Sequence, residues 1–175
     1  MNMRKLYLLA LAGLMVLGAM MQVQAKVIDL AELTGDYEIQ DGDTLTGKLA
    51  DGVEIAAYVP VTVYLRAVDI NDDESLNAFT DNAGLTFYDD ATVILIGNNL
   101  VRGFEYGMPG VFIQAGKTLV IDDGVEHNGL LSANGQNGGA GIGAMASHDC
   151  GNIVIRGGTV YALGGIGAVG IGGGR

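Results

Sequence analysis

Two blocks of this chain repeat one another, and that self-similarity constrains the fold more than any other feature. Ala133, Gly135, Gly138, Gly141, Ile142 and Gly143 recur as Ala162, Gly164, Gly167, Gly170, Ile171 and Gly172, an offset of 29 residues. Val93-x-Leu95-x-Gly97-x-x-Leu100 recurs as Ile153-x-Ile155-x-Gly157-x-x-Val160, an offset of 60. Units of roughly 20–50 residues that repeat in this way stack, each burying its apolar side against the next.

The content of the units is strand-like. Thr62-Val63-Tyr64-Leu65, Thr92-Val93-Ile94-Leu95, Thr118-Leu119-Val120-Ile121 and Asn152-Ile153-Val154-Ile155 are rich in β-branched residues and bounded by turn-forming ones. Beyond residue 25 no stretch keeps an apolar period of about 3.6 over a dozen residues, so long helices are not expected. The piece Val27 to Leu33 reads as an initial strand, with one helical turn as the alternative. The expected class is all-β, a parallel β-helix or solenoid. Alternate residues then point inward, so Val63, Leu65, Val93, Leu95, Leu119, Ile121, Ile153 and Ile155 should stack in columns. Spacings of 30, 26 and 34 residues between the four runs imply loops of unequal length.

Composition agrees. The chain has 29 Gly, 2 Pro, no Trp and 6% aromatics, yet 49% hydrophobic residues, too many for disorder. Glycine suits corners that need positive φ or close backbone approach. One Cys excludes a disulfide framework and a cysteine-rich zinc site. The net charge of −11 argues against a nucleic-acid partner, because phosphate binding needs a basic face.

Residues 1–25 read as a secretory signal peptide: Arg4-Lys5, an apolar stretch from Leu6 to Met20, then Val23-Gln24-Ala25 as a small-residue cleavage site. The apolar run is short for a membrane span, and a buried N-terminal helix is the bland alternative. No Cys lies near the cleavage point, so a lipid anchor there is disfavoured. The protein is therefore expected to be secreted or at the cell surface, without a membrane span after cleavage. Residues 26–175 form one β-helix domain, divided by texture. Residues 26–123 are irregular and acidic; residues 124–175 hold 17 glycines and only two acids. Because Gly172-Gly173-Gly174-Arg175 falls within a repeat, the native chain is expected to continue, leaving this solenoid without its C-terminal cap.

Several segments carry a family resemblance. They are Val27-Ile-Asp-Leu-Ala-Glu-Leu-Thr-Gly-Asp-Tyr, Gly42-Asp-Thr-Leu-Thr-Gly, Gly103-Phe-Glu-Tyr-Gly-Met-Pro-Gly-Val and Gly116-Lys-Thr-Leu-Val-Ile. Further ones are Gly138-Gly-Ala-Gly-Ile-Gly, Cys150-Gly-Asn-Ile-Val-Ile-Arg-Gly-Gly-Thr-Val-Tyr-Ala-Leu-Gly-Gly and Gly170-Ile-Gly-Gly-Gly. Over nearly the whole chain beyond residue 25 it resembles secreted bacterial glycine-rich β-helix repeat proteins, adhesin-like or carbohydrate-binding. The resemblance implies a right-handed parallel β-helix and a non-catalytic role in adhesion or glycan binding. It departs at Ala144-Met145, where a further Gly-Gly is usual. It supplies no catalytic residues and no cofactor.

Several motifs combine chemical potential with a plainer structural role. Gly165-Ile-Gly167-Ala-Val-Gly170 has dinucleotide spacing, but the helix and the acid that such a site requires do not follow it. Asp69, Asn71 and Asp73 are weak calcium candidates. An EF-hand loop from Asp69 would need Gly at 74 and Glu at 80, where the chain has Glu74 and Thr80, so a solvated acidic loop is preferred. Asp89-Asp90 and Asp122-Asp123 raise the alternative of a β-helix polyuronate lyase, which also needs a base near the acids, drawn from Lys48, Arg66, Arg102 and Lys117. Turn formation by paired Asp is the plainer reading. His148-Asp149-Cys150 could suggest a nucleophile, but neighbours on an extended strand face opposite ways. Phe104-Glu105-Tyr106, in a loop marked by Gly103, Gly107 and Pro109, is the candidate glycan contact: aromatic faces beside a carboxylate. The competing reading packs Phe104 beneath the loop. A third possibility is that the chain is a purely structural stalk segment.

Overall fold

The computed structural model describes residues 25–49, 52–71 and 81–174. The signal-peptide reading, apart from Ala25, therefore lies outside the described residues, as do Asp73, Glu74 and Thr80 of the acidic loop.

The described chain is all-β, and every strand pair in it is parallel. Its strands form a nine-stranded and a six-stranded sheet, both visited repeatedly as the chain advances. In the smaller sheet Tyr37–Glu38, Ile55–Ala57, Leu85–Phe87, Val111–Ile113, Ile142–Gly143 and Ile171–Gly172 lie side by side in sequence order. The larger sheet bends. Its long strand Val61–Ile70 pairs through residues 61–66 with Ala91–Ile96, and through residues 69 and 70 with Asn98–Arg102. From there two branches run on, one through Thr118–Asp122 to Asn152–Ile155, the other through Leu130–Asn134 to Thr159–Leu163. Each bend falls at a residue with positive φ: Gly47 at 82°, Ala67 at 52° and Gly97 at 64°. Val27–Leu33 is both of its expected forms, a strand over Val27–Asp29 and one 3-10 turn over Leu30–Glu32, with Asp29 Oδ1 accepting from the Ala31 amide at 3.0 Å.

Side-chain alternation produces the columns. Leu45, Leu65 and Leu95 stack through paired positions and are fully buried. Val63, Val93 and Ile121 form a second buried column, and Ile55, Leu85, Val111 and Ile142 a third on the smaller sheet. Aliphatic stacking of this kind supplies most of the stabilisation, at about 1.5–3 kcal/mol per fully buried side chain. Ile155, outermost in its column, is 44% exposed.

The register corrects one expectation. The 60-residue sequence offset is not the spatial one, because Thr92 lies beside Val120 while Thr118 lies beside Asn152. Val93 thus stands in line with Ile155 through Ile121, 62 residues on rather than 60. The slip of two keeps every inward residue inward, whereas a slip of one would have inverted the strand. The 29-residue offset is spatial as well as sequential: Ala133 pairs with Ala162, and Ile142 with Ile171.

Glycines explain how the chain turns into the smaller sheet. Gly84, Gly110, Gly141 and Gly170 form a ladder in which Leu85 N–H donates to Gly110 O, Val111 N–H to Gly141 O and Ile142 N–H to Gly170 O, at 2.9–3.0 Å. A Cβ on Gly141 would stand 2.7 Å from Gly170 O, 2.7 Å from Leu163 N and 2.8 Å from Ala133 O. Backbone occupies the space that a side chain would need.

Candidate functional site

The turns Tyr58–Pro60 and Tyr88–Asp90 lie one above the other, because Val61 pairs with Ala91 directly after them. Each joins the smaller sheet to the larger one. Their outer side carries two adjoining features, an aromatic stack and a groove.

The stack begins with Tyr58 and Tyr88, whose ring centroids are 5.0 Å apart at an interplanar angle of 15°. Phe112 meets Tyr88 edge-on at 5.9 Å and 65°. Both phenols turn to one carboxylate, Tyr58 Oη donating to Glu54 Oε2 at 3.0 Å and Tyr88 Oη to Glu54 Oε1 at 3.4 Å. The Glu54 amide is held in turn by Asp36 Oδ1 at 2.9 Å. The hydrogen bond to Glu54 pushes the Tyr58 phenol from its ordinary 10.0 up to about 12, with burial and the charges of Glu54 and Asp36 adding to it. Tyr88 is raised chiefly by burial, then by Glu54. Tyr58 remains 50% exposed, as does Val59 beside it.

The groove has a volume of about 450 Å³ and is walled by Asp41, Pro60, Thr62, Asp90, Thr92 and Thr118 among others. Thr62 and Thr92 are register neighbours. Two carboxylates are fixed by backbone donors on the adjoining pass of the chain: Thr62 N–H donates to Asp41 Oδ1 and Thr118 N–H to Asp90 Oδ1, both at 2.7 Å. Threonine side chains and two carboxylates therefore share one groove with Val120, an arrangement that accepts and donates hydrogen bonds along an elongated polar ligand.

At the rim, Lys117 Nζ contacts Asp89 Oδ1 at 2.7 Å. This ion pair lowers the Asp89 carboxyl and raises the Lys117 ammonium. A lyase base must be able to lose its proton, and here the neighbouring carboxylate holds the proton on. The paired Asp residues have visible turn roles: Asp122 Oδ1 accepts from the Asp123 and Gly124 amides, and Asp89 Oδ1 from the Asp90 amide.

Phe104, Glu105 and Tyr106 lie elsewhere, between strands Asn98–Arg102 and Val111–Ile113. Phe104 is 6% exposed and belongs to the apolar core, while Tyr106 is 72% exposed. Phe104 thus offers no free face, and the expected aromatic pair reduces to Tyr106 beside Glu105. Asp81 shares a hydrogen bond with Glu105 and raises its carboxyl. Of the calcium candidates, Asp69 sits on a strand opposite Lys48, and Asn71 is buried with Nδ2 donating to Gly103 O at 2.7 Å. Among the described residues no three His, Cys, Asp or Glu converge as metal ligands. Cys150 is half-buried, and His148 Nδ1 lies 2.7 Å from Ala146 O.

Sequence reasoning missed Tyr58, Glu54 and Tyr88. A signal was present: Tyr58-Val-Pro-Val-Thr-Val63 and Tyr88-Asp-Asp-Ala-Thr-Val93 share Tyr, Thr and Val at an offset of 30. It also missed His127, whose Nδ1 lies 3.3 Å from the buried Asp123 in a second, smaller hollow of about 360 Å³.

Searches against family models, curated proteins and solved structures found no match to the chain. No helix among the described residues is long and apolar enough to cross a membrane.

Proposed function

We propose that this chain is a secreted or cell-surface protein, exported by residues 1–25, that binds glycans without cleaving them. The parallel sheets are read as successive faces of a right-handed parallel β-helix. Strand–crossover–strand connections between parallel neighbours take that hand almost without exception. The resemblance to secreted glycine-rich repeat proteins points the same way.

One observation carries the glycan reading: a groove walled by threonine side chains and by two aspartates pinned to backbone amides, with the half-exposed Tyr58 in the same turn as Pro60 of its wall. Sugars present hydroxyl edges and apolar C–H faces, and such a surface offers partners for both. The binding is open and shallow, which suits a polymer lying across several strands.

The test is a glycan array probed with the chain from residue 26 onward, alongside Tyr58→Ala and the pair Thr62→Val, Thr92→Val. Binding to a defined set of polysaccharides, lost in these variants and retained in Tyr106→Ala, supports the groove. Binding unaffected by the groove variants but abolished by Tyr106→Ala moves the site to the 103–109 loop. A blank array with every glycan class favours the stalk reading, which gains support from the unbroken glycine ladder of Gly84, Gly110, Gly141 and Gly170.

A further inference from the structure

The groove is negatively charged along its length, and that narrows the kind of glycan it can hold. Asp41 and Asp90 line it, and among the described residues no lysine, arginine or histidine does. Lys117, next in the chain to Thr118 of the groove wall, is already engaged by Asp89. On the aromatic side Glu54 and Asp36 add two further acids. Each groove carboxylate commits one oxygen to a backbone N–H and is otherwise exposed. Among the described residues the second oxygen of each takes no hydrogen bond.

Such carboxylates cannot wander, since one oxygen is pinned to the neighbouring strand. They recur about two strand spacings apart, roughly 10 Å, in the direction in which the strands stack. A chain of neutral sugars needs acceptors and donors but no fixed charge. A polyuronate would bring carboxylates against carboxylates, on a protein whose net charge is already −11. A polymer bearing primary ammonium groups meets both conditions: its hydroxyls suit the threonine side chains of the groove, and its charges suit Asp41 and Asp90. The volume of about 450 Å³ is of the size that holds a short oligosaccharide segment.

We infer that the groove selects a cationic amino-sugar polymer, such as a de-N-acetylated glucosamine chain, over neutral and acidic glycans. This rests on the glycan reading of the same groove. Acetylation removes the charge while keeping the ring, so paired oligomers isolate the electrostatic contribution.

The experiment titrates the chain from residue 26 onward with a glucosamine oligomer, its fully N-acetylated counterpart, and polygalacturonate with and without calcium. The glucosamine oligomer is expected to bind about fivefold or more tighter than the acetylated one, and the difference should shrink as salt screens exposed charges. Asp41→Asn with Asp90→Asn keeps an oxygen for each backbone donor, so the turns are retained. It should weaken amino-sugar binding about tenfold and leave the acetylated oligomer unchanged. Equal, salt-insensitive binding of both oligomers overturns the inference and leaves the glycan reading standing. Preference for polygalacturonate in the presence of calcium also overturns it, with the carboxylates then acting through a bridging ion. Failure of every oligomer to bind removes both.

Discussion

Tyr58 and Tyr88 are 30 residues apart in the chain, stack with their ring centroids 5.0 Å apart, and donate to opposite oxygens of Glu54. They meet because they occupy equivalent places in successive turns, ahead of the paired residues Val61 and Ala91. The carboxylate favours the neutral phenols, since ionising Tyr58 would set a phenolate against Glu54. A phenol raised in the fold contributes stability below its ordinary pKa of 10.0 and loses that contribution as pH climbs through about 12. Tyrosinate absorbance should therefore show a late-titrating component. Glu54→Gln should move that component back toward the ordinary range; an unchanged titration would contradict the hydrogen bond's role.

The glycine ladder makes a sterically sharp prediction. Gly141→Ala places a Cβ 2.7 Å from Gly170 O and Leu163 N, so the backbone of two passes must part. Overpacking of this kind costs about 1–3 kcal/mol. Gly97 is the control, having φ of 64° but no atom within 4 Å of the added Cβ, so Gly97→Ala should cost about 1–2 kcal/mol from backbone conformation alone. Denaturant melts in which Gly97→Ala is clearly the more damaging would show that the close approach is not limiting.

Asn99 is the polar counterpart of the ladder. Its Oδ1 accepts from Val68 N–H at 3.0 Å while its Nδ2 donates to Gly97 O and Leu130 O at 3.1 Å, so one buried side chain ties three passes. Asn99→Ala strands the Val68 amide, whereas Gly97 O keeps the Leu130 N–H at 2.8 Å, and should cost about 1–3 kcal/mol. Hydrogen exchange supplies the check: faster exchange at Val68 is expected, and full protection there would refute the tie.

A third carboxylate pair carries the opposite pH sign to an ion pair. Asp81 raises the Glu105 carboxyl by sharing a hydrogen bond with it. The contribution is fully present below the ordinary Glu pKa of 4.5 and is lost as pH rises through the raised folded value. Asp89 behaves the other way, because Lys117 lowers it and its contribution disappears as pH falls. Thermal melts across the acidic range should show Glu105→Gln flattening the loss on the high-pH side, and Asp89→Asn removing the loss on the low-pH side. The same profile in both variants would undo the assignment.

Much of the architecture was legible without coordinates. Period-two alternation over residues 61–66 and Ala91–Ile96 assigns inward and outward residues, because a side chain's face on a regular strand depends on parity, and the positive φ of Ala67 is where that parity switches. The 29-residue repeat located both the Ala133–Ala162 and Ile142–Ile171 contacts, since equal spacing puts equal residues in register. Phe104 was harder: the loop around it is marked by Gly and Pro, and composition does not say which of two neighbouring aromatics turns inward.

What the tertiary structure alone decided is which turns lie beside which. Parity tolerates a slip of two, so the shift that put Val120 rather than Thr118 beside Thr92 left no trace in the apolar pattern. The candidate site depends on that alignment, because Asp41, Thr62, Asp90 and Thr118 belong to separate passes and meet only where loop lengths bring them together. Local chemistry along the chain determined the strands and their buried faces. Loop closure and packing across the chain determined the groove, and those act between residues that sequence proximity does not connect.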